Sequence, residues 1–194
     1  MFINIITPCT RPKNLKAISK SINIPKENYR WIVVFDSLWL PNDKLIPDNC
    51  ECYAVTNYLS RFGNAQRNYA IDLVKDGYLY FNDDDTVIHK KLWENVKNLN
   101  DDFIVFQQTD KNKKIRNDAK RVQVYEVDSH NFLVNMKTVG KTRWKLNDPD
   151  INGLDIADGL FAVELFENAE TIRRIFKPLA EYNTLRNDNI KNKK

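Results

Sequence analysis

The chain has 194 residues, 42% hydrophobic and 29% charged, proportions that suit a soluble globular protein with a real core. A chain this long buries roughly 70% of its unfolded surface, so it needs neither disulfides nor a structural metal merely to fold. No apolar run approaches the roughly 18 residues of a membrane span, and 30 basic against 26 acidic residues leave a net charge of only +4. Part of that excess lies in the polar tail 186–194. A second basic cluster, Lys111 to Arg121, reads as a solvated loop rather than a nucleic-acid surface.

Cys9, Cys50 and Cys52 are odd in number and follow no secretory signal, because Pro8 interrupts the N-terminal apolar run. Reduced thiols and a cytoplasmic setting are therefore expected. Cys50-Glu51-Cys52 lacks the two-residue spacer of a usual zinc or redox pair and is assigned no chemistry.

Residues 2–6 form an apolar, β-rich run that ends at Thr7-Pro8, the first predicted strand. A helix follows from Pro12, with Leu15, Ile18 and Ile22 at helical spacing. Residues 31–35 make a second strand closing on Asp36, and 52–55 a short third. Asn64 is placed to cap a helix whose apolar face is Ala65, Tyr69, Ala70, Leu73 and Val74. After Gly77, residues 78–81 are the next strand, and a helix is expected from about 90 to 99. This alternation predicts an α/β domain with a mixed, mainly parallel sheet flanked by helices. The second half changes rhythm: 103–107, 122–127 and 132–136 read as strands that extend the sheet in antiparallel fashion. Residues 158 to about 176 read as one long helix, stopped by Pro178.

Four apolar residues, Tyr78 to Phe81, run through Asn82 into Asp83, Asp84 and Asp85. In an open α/β sheet, ligands bind beyond the carboxyl ends of the strands, where this triplet falls. Adjacent like charges repel, and a hard divalent cation such as Mn²⁺ or Mg²⁺ relieves that repulsion while taking further oxygens from substrate phosphates. Alternation along an extended segment aims Asp83 and Asp85 at one ligand and Asp84 elsewhere. The bland alternative is an Asx-turn that caps the following helix.

Four blocks in this order resemble the GT-A glycosyltransferases, and more narrowly the inverting β-1,3-glucuronyltransferase family. They are Ile5-Ile6-Thr7-Pro8-Cys9-Thr10-Arg11-Pro12, Tyr29 to Asp36, Arg61 to Ala70, and Gly77 to Thr86. The resemblance implies a single GT-A (Rossmann-like) domain, with a nucleotide-sugar half over 1–100, an acceptor half over 101–185 and a polar tail over 186–194. It further implies a UDP-sugar donor held by Thr7, Pro8, Arg11, Asp36, Arg61, Arg67, Asp83 and Asp84. Asp36 would accept the uracil N–H, and the arginines would meet the nucleotide or donor sugar. Asp85, with Asp83, would hold the Mn²⁺ (or Mg²⁺).

In the second half the likeness implies Asp128 as an acceptor ligand and Asp158 as catalytic base, with Asp155 second; Asp is equally a favoured helix cap. Trp144 either stacks on an acceptor sugar or is a core residue. His89 reads as structural or surface, and His130 stays open. The family's closing His- and Arg-containing segment is replaced here by Glu181 to Arg186, and the anchor of its animal Golgi members is absent, which points to a microbial or viral-host cytosol. The expected activity is metal-dependent transfer of a sugar to a hydroxyl of a glycan or glycoprotein, with inversion, no nucleic acid and no membrane span. A sugar-nucleotide nucleotidyltransferase is the alternative enzyme, disfavoured because residues 7–12 contain no glycine for a phosphate loop. A non-catalytic glycan- or nucleotide-binding module is the third reading.

Overall fold

Seven consecutive buried residues make β1 (Ile3–Cys9) a strand without a solvent face. Such a strand needs neighbours on both edges and a layer on each side. It pairs in parallel with β2 (Tyr29–Asp36) on one edge and β4 (Tyr78–Phe81) on the other, and β2 pairs in parallel with β3 (Glu51–Val55). The computed structural model describes residues 1–36, 41–56, 63–146 and 156–186.

The second half extends this sheet with strands of both senses. β7 (Phe132–Asn135) runs antiparallel to β4 and also to β5 (Phe103–Thr109), so β5 points the same way as β4. β6 (Ile115–Asn117) turns back along the end of β5, and β8 (Ile172–Glu181) runs parallel to the whole length of β5. The order is β3-β2-β1-β4-β7-β5-β6, with β8 also on β5.

Helices close both faces. On one, α2 (Asn64–Asp72), α4 (Met136–Val139) and α5 (Ala157–Asn168) bury Ala70, Ile71, Val139, Phe161 and Leu165 against Ile6, Phe81 and Phe132. On the other, α1 (Leu15–Ser21) and α3 (Leu92–Val96) bury Leu15, Ile18, Leu92 and Trp93 against Ile5, Trp31 and Tyr80. Among the described residues no helix is long and apolar enough to cross a membrane.

Three elements depart from the sequence expectation. Residues 122–127 are not a strand but a turn, closed by Glu126 N–H to the Gln123 carbonyl at 3.0 Å, with Tyr125 at φ +72°. The predicted long helix stops at Asn168, and 172–181 instead form β8. The reason is tertiary: the buried strand β5 requires a second edge partner, and that pairing overrides local helical spacing. Pro178 is tolerated because the β5–β8 register shifts at Gln107, its partner. The helix expected from 90 to 99 shortens to α3.

The cap of α2 also differs. Gly63, at φ +83°, is the cap residue, and a Cβ there would stand 2.7 Å from Pro8 Cβ. Glycine thus lets the start of α2 close onto the end of β1. Asn64, freed from capping, donates to the Lys145 carbonyl at 3.0 Å.

Candidate functional site

Because β1, β2 and β4 are parallel, their carboxyl ends bring Thr7–Arg11, Asp36 and Asn82–Asp85 to one end of the sheet. The three consecutive carboxylates then separate by direction. Asp84 accepts the Thr10 and Arg11 backbone N–H groups, each at 2.6 Å, and ion-pairs with the Arg11 guanidinium. Its 4% exposed side chain therefore fastens the end of β4 to the loop after β1. Asp83 takes Arg67 Nη2 at 2.6 Å and keeps 28% of its side chain open.

Asp85 is 8% exposed and has weaker compensation, with Arg11 Nη1 at 3.5 Å and the Thr86 hydroxyl at 3.3 Å. Burial, and then the Asp83 charge, push its pKa above the usual carboxylate value despite opposing pulls from His130 and Arg11. A buried carboxylate in that condition suits a divalent cation, whose charge would relieve both effects. Among the described residues no three His, Cys, Asp or Glu side chains gather into a protein cage. A cation at Asp85 would complete its shell with phosphate oxygens and water, the usual arrangement for Mg²⁺-type sites.

Beneath Asp83 lies a charged network. Arg67 is 2% exposed, bonds Asn64 Oδ1 at 3.1 Å and stands 4.6 Å over the Trp144 ring. His130, in a 3₁₀ turn over Ser129–Asn131, places Nδ1 2.6 Å from Asp128 Oδ1 and Nε2 3.5 Å from Asp83 Oδ2. Burial alone would lower the pKa of His130, but Asp83, Asp128 and Asp158 outweigh it and raise it to about 9. The Asp83 N–H, 3.1 Å from Nε2, needs a lone pair there and works against protonation. The net direction is upward because carboxylates surround a ring that is 2% exposed. Asp128 moves the opposite way: despite burial, His130 and then Arg116 hold it down at about 2. Arg116 lies 3.8 Å from Asp128 and 3.6 Å over the Tyr182 ring.

The candidates from sequence do not all come to one place. Arg11, Arg67, Asp83, Asp84, Asp85, Asp128 and Asp158 gather at this centre; Asp158, in the first turn of α5, acts electrostatically on both Arg67 and His130. Thr7 and Pro8 belong to the scaffold, Thr7 accepting the Trp31 indole N–H at 3.0 Å and Pro8 meeting Gly63. Asp36 ends β2 at the same end of the sheet. Arg61 and Asp155 lie outside the described residues.

Trp144 is corrected. It is 1% exposed, with Phe161 stacked at 4.4 Å and Arg67 over its ring, so it offers no face to a sugar. His130, Arg116 and the 182–186 segment were not assigned from sequence. That segment folds over the acidic strand end, where Leu185 N–H reaches the Asp85 carbonyl at 2.7 Å and Val87 N–H reaches the Thr184 hydroxyl at 2.8 Å. The only sequence cue was its position, where the resembled family places a closing segment.

No protein-family model and no curated protein matches the chain. Solved structures do. Staphylococcus aureus TarS 1-349 superposes with a TM-score of 0.70 at 15% identity, over 93% of this chain and 60% of that one. The fold is that of a GT-A glycosyltransferase. The same TarS fragment in complex with UDP-GlcNAc gives a TM-score of 0.71 at 15% identity, over 93% and 58%. The mannosyltransferase PcManGT from Pyrobaculum calidifontis, in complex with GDP-Man and Mn²⁺, gives 0.62 at 10% identity, over 93% and 56%. The chain thus spans 56–60% of the length of these proteins. The narrower resemblance to β-1,3-glucuronyltransferases rests on the sequence blocks alone.

Proposed function

We propose that the chain is a metal-dependent glycosyltransferase that moves a sugar from a UDP-sugar to a hydroxyl of a glycan or glycoprotein, with inversion. The observation that carries this reading is Asp85. It is a buried carboxylate with a raised pKa, at the ligand-binding end of a GT-A sheet. The nucleotide sugars bound to TarS and PcManGT support a sugar-nucleotide donor.

In this reading Asp36 accepts the uracil N–H and Arg11, 39% exposed at its side chain, faces the diphosphate. Arg61 would join it there. Arg67 and Asp84 act one step back: Arg67 holds Asp83, and Asp84 holds the Thr10-Arg11 backbone. Asp85, with Asp83, would hold Mn²⁺ or Mg²⁺, which supplies Lewis-acid stabilisation of the charge that develops on the departing diphosphate. Asp158 takes the acceptor hydroxyl's proton as that oxygen attacks the anomeric carbon, with Asp155 as the second candidate. Asp128 is buried in its pair with His130, so its part toward an acceptor runs through Arg116, the exposed member of that chain.

The test is a panel of UDP- and GDP-sugars screened for slow hydrolysis, with water in place of the acceptor. Metal-dependent release of UDP from one donor is expected, and a chelator should abolish it. No release from any sugar nucleotide, with pyrophosphate formed from a nucleoside triphosphate and a sugar phosphate instead, would shift the assignment to a nucleotidyltransferase.

A further inference from the structure

A second feature lies toward the far edge of the same end of the sheet. A cleft of about 530 Å³ is lined by Lys90, Lys91, Lys113 and Lys177, with His89 beside them and Pro178 and Leu179 as an apolar wall. The lysines come from three separate parts of the chain: the segment before α3, the β5–β6 hairpin and β8. Their convergence is a property of the fold, not of one charge run.

The charges around the cleft do not cancel. Glu181 is the one carboxylate in the lining, and it is already ion-paired with Lys113. Among the described residues Lys177 meets a neutral oxygen, Asn95 Oδ1, at 3.2 Å. Four ammonium groups against one carboxylate leave an uncompensated positive charge, and that arrangement suits an anion. Burial chiefly lowers the pKa of His89; Glu181 opposes that shift, and Lys113, Lys91 and Lys90 add to it. The backbone carrying two of the lysines is also pinned. The Lys91 carbonyl accepts from Asn95 Nδ2 at 2.8 Å, and the Lys90 carbonyl accepts from the Asn23 amide. The backbone beneath Lys90 and Lys91 is thus held before any ligand arrives.

We propose that this cleft is a phosphate-binding site, separate from the carboxylate centre. Lysine suits the role as a compact charge with three donors. The concave lining allows several ammoniums to share one tetrahedral dianion. His89 follows Asp85 by four residues, so chain reach alone limits their separation to about 14 Å. The phosphate therefore arrives either as a free inorganic ion or as an ester on a ligand long enough to approach the carboxylate centre. The site stands on its own lining and does not depend on the donor assignment.

The experiment is isothermal titration at constant ionic strength with inorganic phosphate and, separately, a hexose 6-phosphate. The full chain and two variants are compared: Lys90→Ala with Lys177→Ala, and Asp85→Ala. Saturable binding by the wild type is expected. It should weaken at least about tenfold in the lysine variant, the loss of a charge-assisted bond, and stay within about twofold in Asp85→Ala. Tighter binding of the hexose phosphate identifies an ester-borne phosphate, and equal binding identifies the free ion. The proposal is overturned if phosphate does not saturate, if chloride at equal ionic strength competes equally, or if only Asp85→Ala removes binding. The lysine variant should keep its thermal response to UDP with Mn²⁺, so failure here and failure of the donor assignment are distinguishable.

Discussion

The carboxylate centre and the lysine cleft share one end of the sheet and treat charge in opposite ways. At the centre Asp83, Asp84 and Asp128 meet Arg67, Arg11 and His130 at bonding distance, and Asp85 keeps the weakest compensation. In the cleft four exposed lysines face one carboxylate. Burial accounts for the contrast. A buried charge without a partner costs several kcal/mol, so a centre built inside the fold must be neutralised nearly group by group. Exposed ammoniums are screened by water and escape that demand. Uncompensated charge then remains in the centre on one residue, and in the cleft as a sum of several.

The largest expected effect belongs to the centre alone. Asp158→Asn removes a base while keeping its shape, and turnover should fall about 10²- to 10⁴-fold. Binding of UDP with Mn²⁺, and of phosphate in the cleft, should be retained. Steady-state kinetics beside the two titrations check this, and near-normal turnover would sink the base assignment.

A smaller effect separates the regions by pH. His130 rises from 6.5 to about 9, so its contribution to stability is complete below pH 6.5 and is lost as pH climbs through about 9. Asp128 falls from 3.8 to about 2, so its contribution is present above pH 3.8 and is lost as pH drops through about 2. Thermal melts from pH 6 to 10 should show a decline in the wild type that flattens in His130→Gln. Parallel curves for the two proteins would contradict the paired arrangement.

How far each region was legible in the sequence follows from how local its determinants are. The cores of β1, β2 and β4 are buried on both faces, and their apolar runs, interrupted in β1 by Asn4, announce them. β8 is mostly exposed over its first seven residues and contains Pro178, so only its pairing with β5 reveals it. The split within the acidic triplet was half visible. Alternation set Asp84 apart, but not its bonds to Thr10 and Arg11, more than 70 residues away. His130 meets Asp83 across 47 positions, and Trp144 is buried by Phe81 and Phe161, so neither assignment was open to local reading. The cleft needed the fold most of all, because Lys113 sat in a run that looked like a solvated loop.

The most direct measurement of the central claim is the melting temperature with UDP and Mn²⁺, in the wild type and in Asp85→Ala. With free ligand at about 100 times Kd, binding adds about 2.7 kcal/mol, or about 5–10 °C for a domain of this size. The wild type should show that rise and the variant should lose it. Without ligand the variant should melt no lower than the wild type, because burial already disfavours the Asp85 charge. An equal UDP–Mn²⁺ shift in both proteins, or none in the wild type, would contradict a cation-assisted donor site at Asp85.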